Sequence, residues 1–198
     1  MLTADSLTRA QLRRQLREQR QALSRPAQRQ AALGLYRQLA QHPRFRRAQH
    51  IALYLPNDGE IDPRPLLRAA HRRGKFTYLP VLSPWPRSTM VFQRVRRHER
   101  LIENRFGIPE PRRNRKQQRK VWTLDLVLLP LVGFDRHGGR LGMGGGFYDR
   151  SLAYRKVRKN WHKPTLWGLA HECQQVDRLT MASWDVPLQA TVTNEAWY

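Results

Sequence analysis

The residue types with the most chemical potential lie together in Arg140-Leu-Gly-Met-Gly-Gly-Gly-Phe-Tyr-Asp149. Four of the five positions from 142 to 146 are glycine: Gly142, Gly144, Gly145 and Gly146. Glycine lets backbone N–H groups approach a ligand closely and takes up positive φ without strain. The apolar run Leu124 to Val132 reads as a buried strand just upstream, and residues 147–158 read as a helix, so the glycines fall where a strand ends and a helix begins. A helix N-terminus adds unpaired donors and partial positive charge. The pattern therefore reads as a phosphate cradle. Arg140 would be a bidentate phosphate partner, and Asp149 could hold a metal ion that bridges phosphate oxygens. The competing reading is a glycine-rich turn that merely joins strand to helix. Neither common nucleotide signature is met. No lysine follows the glycines, and Phe147 stands where the dinucleotide pattern begun at Gly142 needs its last glycine.

Other elements must position this loop. Residues 5–41 read as helix, with Leu12, Leu16 and Leu23 on one stripe and Ala31, Leu35 and Leu39 continuing at four-residue spacing. Ser24 ahead of Pro26 marks a break and caps a second helix. Ile51 to Pro56 reads as a strand closed by the turn Asn57-Asp-Gly59, and Pro65 to His71 as a helix ended by Gly74. Lys75 to Pro80 reads as a second strand ended by prolines 80, 84 and 86, with a third at Met90 to Gln93. Leu124 to Leu131 is the central strand, and 165–170 and 190–193 are the last. Strands alternating with helices make an α/β fold, expected as a single domain over 1–198 with a largely parallel sheet flanked by helices. Ligands of such sheets sit at the carboxyl ends of strands. Glu60 and the glycine loop both follow strands, so they can share one crevice.

Composition narrows the function classes. The net charge is +22, and lysine supplies only positions 75, 116, 120, 156, 159 and 163 among 37 basic residues; the rest are arginine. Such charge attracts RNA and other polyanions non-specifically. It serves a site for ATP and an anionic substrate equally well, or is simply solvated. The basic run 112–120 contains no acidic residue and reads as an exposed loop, without aromatics to stack on bases. Cys173 is the one cysteine, which excludes an internal disulfide and a zinc–cysteine cluster; it reads as a buried or incidental thiol in a cytoplasmic protein. No apolar run reaches the length of a membrane span, and no signal peptide is visible. Nothing indicates an exposed apolar seam, so a monomer is expected. His137 reads as an exposed turn residue, and nothing links His171 or Cys173 to a metal.

The run Leu129 to Arg150 resembles the signature of the 5-formyltetrahydrofolate cyclo-ligase family, also called 5,10-methenyltetrahydrofolate synthetase. Three more blocks follow the family's order: a basic N-terminal helix ending Ala22-Leu-Ser24, the segment Ile51 to Asp62, and the tail Ser183 to Thr193. The resemblance covers nearly the whole chain. It implies a Rossmann-like, CoA-transferase-like fold with a basic helical segment at the N-terminus. It also implies an ATP- and magnesium-dependent ligase of folate one-carbon metabolism acting on 5-formyltetrahydrofolate and MgATP. In that reaction ATP phosphorylates the formyl oxygen, N10 closes the ring, and phosphate leaves in place of hydroxide.

Carried over by position, the resemblance assigns ATP contacts to Arg9, Ala10, Gln11, Leu12 and Arg13, and to Arg140, Leu141, Gly142, Met143, Gly144, Gly145, Gly146, Phe147 and Tyr148. Arg140 and Tyr148 take the catalytic roles. Folate contacts fall on Leu55, Glu60 and residues Met143 to Phe147, with Glu60 a natural acceptor for the pterin N–H groups. Asp149 and Asp185 match magnesium positions. The chain departs from many relatives at Gly145, where they carry a basic residue, and at Met143. Arg140 and the N-terminal arginines are expected to supply the missing charge. An alternative is a basic nucleic-acid-associated protein that keeps the fold without catalysis. Such a protein should have lost Glu60, Arg140 or Asp149, and all three are present.

Overall fold

Thr8 and Ser24 open the two N-terminal helices, α1 (Arg9–Gln21) and α2 (Arg25–Ala40). Thr8 forms a capping box with Gln11, and the Ser24 side chain accepts from the Ala27 N–H. The break expected at Ser24 is thus where the chain turns. The computed structural model describes residues 7–83, 85–86, 89–158 and 163–198. Expectations for residues 5–6, Pro84 and 159–162 lie outside these.

After α3 (Pro43–Arg47) come β1 (His50–Ala52), α4 (Arg64–Arg72), β2 (Phe76–Leu82), β3 (Met90–Val95), β4 (Leu101–Glu103), β5 (Pro109–Pro111) and β6 (Gln118–Arg119). The second half holds β7 (Leu126–Pro130), β8 (Gly133–Phe134), β9 (Arg140–Leu141), α5 (Phe147–Leu152), α6 (Tyr154–Val157), β10 (Thr165–Leu169) and β11 (Ala190–Val192). The main sheet runs β11-β10-β7-β1-β2-β3-β6. Its five strands from β11 to β2 are parallel, and β3 and β6 extend it antiparallel. The parallel part is doubly wound. The direction of winding reverses between β1 and β7, and such a reversal opens a crevice at the carboxyl ends of the two strands.

Alternation along the strands feeds two cores. Ile51, Leu126 and Leu128 face Leu35, Leu39 and Phe45 of α2 and α3 and Leu66 of α4. Ala52, Val127 and Leu129 face the other way, toward Leu124, Leu152 and Val186. A third, smaller cluster seats α1: Leu12 and Leu16 pack on Val132, Leu141 and Val176. Two buried leucines contribute about 3–6 kcal/mol of gross burial energy, before ordering costs, to docking this basic helix.

The structure corrects several expectations. β2 runs through Pro80 to Leu82. β1 pairs only with Phe76 to Tyr78, so the flank of β2 on that side has left the ladder before proline's missing N–H matters. β1 itself stops at Ala52 rather than Pro56. The run 112–120 is not all loop, because Gln118 and Arg119 pair with Phe92 and Gln93 and cover the open edge of β3. The expected helix 147–158 is broken at Ala153 into α5 and α6. A small hairpin, β8–β9, lies between the central strand and the glycines. Cys173 is exposed.

Gly34 marks where α2 meets the C-terminal segment. A Cβ there would stand 2.8 Å from the Asn194 carbonyl oxygen and 2.9 Å from its Cβ. Gly34→Ala is therefore expected to destabilise the fold by about 1–3 kcal/mol, despite alanine's better helix propensity. Urea unfolding would measure it, and an unchanged midpoint would mean that the tail moves away at little cost.

Candidate active site

Four arginines of α1 recur at helical spacing: Arg9, Arg13, Arg17 and Arg20. They meet three chain segments in order. Arg9 donates to the Thr180 carbonyl (2.7 Å) and lies 3.5 Å from the Asp185 carboxylate. Arg13 Nε donates to the Gly142 carbonyl (2.8 Å), and its guanidinium packs over Gly144. Arg17 and Arg20 both pair with Asp58 in the turn after β1, at 2.6 and 2.8 Å. The other N-terminal positions differ. Leu12 is buried in the α1 core and presents no side chain to a ligand, Gln11 is engaged by the cap, and Ala10 is exposed.

The glycine loop leaves β9, where Arg140 and Leu141 pair with Phe134 and Gly133. Residues 142–145 are exposed. Gly144 and Gly146 take φ of +92° and +63°, which a side chain would strain, and Gly146 caps α5. Arg150 donates to the Gly145 carbonyl. Because α5 has six residues, its dipole is small, and the positive charge around the loop comes chiefly from arginine side chains.

Arg140 is 7% exposed. It forms an ion pair with Asp149, while its Nε is buried without a hydrogen-bond partner. A buried donor left open in this way suits an anion, so the residues fit a phosphate here. Asp149 also accepts from the Val186 N–H (3.3 Å), and Asp185 accepts from the Ala182 N–H (2.9 Å). Because Val186 follows Asp185 directly, its N–H bond to Asp149 brings the two carboxylates into one region of the site. This pair of hard oxygen donors fits magnesium chemically, although each is held by an arginine in this structure.

Glu60 is not the exposed turn residue that its position suggests. Its side chain is 12% exposed, its Oε2 accepts from the Asn57 N–H (3.1 Å), and Oε1 lies 3.9 Å from Arg20. Burial raises its pKa to about 7, against the pull of Arg20. Tyr148 is close enough that Glu60, after burial, helps raise its phenol well above the usual range. Tyr148 is thus a neutral donor. Leu55 is half-buried just after β1. Met143 is exposed, yet its sulfur lies 4.0 Å from an Arg20 nitrogen, so loop and turn converge. Beside Glu60 a groove of about 610 Å³ opens between α2 and α4, lined by Arg25, Arg29, Arg64 and Arg68.

The model of the 5-formyltetrahydrofolate cyclo-ligase family matches residues 5–194. The chain belongs to that family. Cyclo-ligases of this name from Escherichia coli K12 and Haemophilus influenzae are 37% and 39% identical over 185 and 182 residues. These alignments cover 92% and 91% of this chain and 98% and 94% of the relatives. The solved 5,10-methenyltetrahydrofolate synthetase of Aquifex aeolicus is 29% identical with a TM-score of 0.81, over 96% of this chain and 92% of that one.

Within the cyclo-ligase fold, sequence reasoning missed Arg17, Arg20, Asp58 and Arg150. The signal for the first two was present. Arg13, Arg17 and Arg20 continue one helical face, a basic stripe rather than scattered charge. Nothing in the sequence marked Asp58 as the residue they meet.

Proposed function

We propose that this chain, as one domain over 1–198, converts 5-formyltetrahydrofolate to 5,10-methenyltetrahydrofolate with cleavage of ATP to ADP and phosphate. The observation that supports it most is the convergence at the strand switch point of an arginine-backed glycine loop and a buried glutamate. The formyl oxygen attacks the γ-phosphorus and ADP leaves. N10 then attacks the formyl carbon and gives up its proton, and the carbon–oxygen bond breaks as phosphate departs. Arg140, Arg13 and Arg9 neutralise the phosphates. Tyr148 donates to oxygen that gains charge. Glu60 accepts from pterin N–H groups, while Leu55 and Met143 supply apolar contact. Magnesium, held by Asp149 and Asp185, would screen phosphate charge when bound.

Among the described residues no helix is long and apolar enough to cross a membrane, and we place the enzyme in the cytoplasm as a monomer acting on small molecules. The alternative of a non-catalytic nucleic-acid binder has no support from the site, where Glu60, Arg140 and Asp149 are all retained and engaged. Purified protein mixed with 5-formyltetrahydrofolate and magnesium should show an ultraviolet rise from the methenyl product only when ATP is added. No rise from folded protein would overturn the proposal.

A further inference from the structure

Arg20 has no exposed surface, and the reaction steps above do not use it. Burying a guanidinium is costly unless its donors are answered. Here Nε donates to the Asp58 carbonyl (2.8 Å), Nη1 to the Leu131 carbonyl (3.1 Å) and Nη2 to the Asp58 carboxylate (2.8 Å). These acceptors lie on the chains that leave β1 and β7, the two strands at the switch point. The clamp has an opposite jaw. His171 Nε2 meets the Gly59 carbonyl at 3.2 Å, and Gln174 donates to the carbonyls of Leu131 (2.7 Å) and Val132 (2.9 Å). Asp58 itself sits at φ +52°, a backbone state that needs such support.

Charge is distributed unevenly in this cluster. Asp58 is answered twice, by Arg17 and by Arg20, and its carboxyl is held down to about 2. Arg20 therefore has attraction to spare for Glu60 at 3.9 Å. The groups facing Glu60 are Arg20 from α1, Asp58 from its own turn, Tyr54 from the segment after β1, and Tyr148 from α5. Both phenols are neutral, because burial raises them, and burial lowers His171 to about 4, so its ring adds no positive charge near neutral pH. Arg20 is the buried cation of this set, with Arg17 behind Asp58 and Arg25, Arg29, Arg64 and Arg68 along the neighbouring groove.

We propose that Arg20 is a positioning residue for folate: it fixes the turn 57–60 and favours the carboxylate form of Glu60, aimed at the pterin. This rests on the reading of Glu60 as the folate acceptor. The test is kcat/KM for 5-formyltetrahydrofolate against pH, with KM for ATP measured alongside, in wild type, Arg20→Met and Arg20→Lys, each with and without Glu60→Gln. In wild type kcat/KM should rise with pH through about 7 as Glu60 ionises. Arg20→Met should shift that limb upward by about one pH unit, cost about 5-fold at pH 7 and about 10-fold at lower pH, and leave KM for ATP within about two-fold. Arg20→Lys keeps the charge and loses the fork; it should hold the limb in place and raise folate KM several-fold. Glu60→Gln should abolish the limb and make Arg20→Met nearly silent.

A merely structural Arg20 would lower stability, leave the limb where it is, and add its full loss to that of Glu60→Gln; that result overturns the positioning role alone. If Glu60→Gln leaves both the limb and folate KM unchanged, the folate reading of Glu60 falls, and the Arg20 role with it. Should Arg20→Met fail to fold, Arg20→Lys decides, and an unchanged folate KM there sinks the proposal.

Discussion

Arg140→Met is expected to lower kcat/KM for MgATP about 10³-fold. The guanidinium is buried at the foot of the glycine loop, and one of its nitrogens is without a partner. A charge in that position needs no reorganisation when phosphate arrives, so its effect on the transition state is large. The variant should remain folded. Asp149 loses its ion pair but keeps the Val186 N–H and a side chain 25% exposed, so water can answer the carboxylate. A stability loss of about 1–2 kcal/mol follows. Arg140→Lys retains a point charge without the planar fork and should fall between wild type and methionine. Steady-state assays of the methenyl product, paired with urea unfolding, separate the two effects. A loss in kcat/KM below about 10-fold would remove Arg140 from phosphate neutralisation.

Glu60→Gln is expected to move activity and stability in opposite directions. Charged hydrogen bonds contribute about 1.5–3 kcal/mol, so folate KM should rise by about one to two orders of magnitude while KM for ATP stays put. Stability should increase, but only at the alkaline side. Burial raises this carboxyl from 4.5 to about 7 in the folded protein. Below pH 4.5 it is protonated in both folded and unfolded chains, and the wild type carries no penalty. As pH climbs from 4.5 to about 7 the unfolded chain ionises first, and folding stability falls; above about 7 the loss is complete. Glutamine removes that loss, a gain on the order of 1–3 kcal/mol at pH 8 and almost none at pH 4. Thermal melts at the two pH values check it. Equal destabilisation at both would mean that the glutamate's hydrogen bond outweighs its burial.

What could be read from the chain depended on how local the cause was. The cap at Ser24, the glycine stop at Gly74 and the near-continuous burial of β7 and β10 arise from residues within a few positions of one another, and all were legible. The glycine loop and Arg140 were legible because their composition is unusual. Pro80 misled because its tolerance depends on where β1 ends, and β6 was hidden because Gln118 and Arg119 become strand only against the open flank of β3. The hairpin β8–β9, two residues to a side, is too short to leave a period. Glu60 was named but its burial was not foreseen, since groups it meets, such as Arg20, 40 positions earlier, are distant in the chain. The burial of Leu12 and the capping contact of Gln11 were not foreseen for a related reason: carrying over a contiguous segment ignores that a helix turns every residue to a different face.

The four arginines along this face of α1 span eleven helical steps from Arg9 to Arg20, a rise of about 16 Å. One end touches the segment of Asp185, the middle touches the glycine loop, and the far end grips the turn that carries Glu60. With the sites proposed above, the helix is a ruler laid between the nucleotide and the pterin. Its length is set by hydrogen bonds rather than by a flexible loop, so the separation of the glycine loop from the turn of Glu60 is fixed by the fold. One residue inserted between Arg13 and Arg17 would leave every arginine in the sequence, yet it would swing the lower pair by about 100° and leave the two ends of the ruler reading different scales.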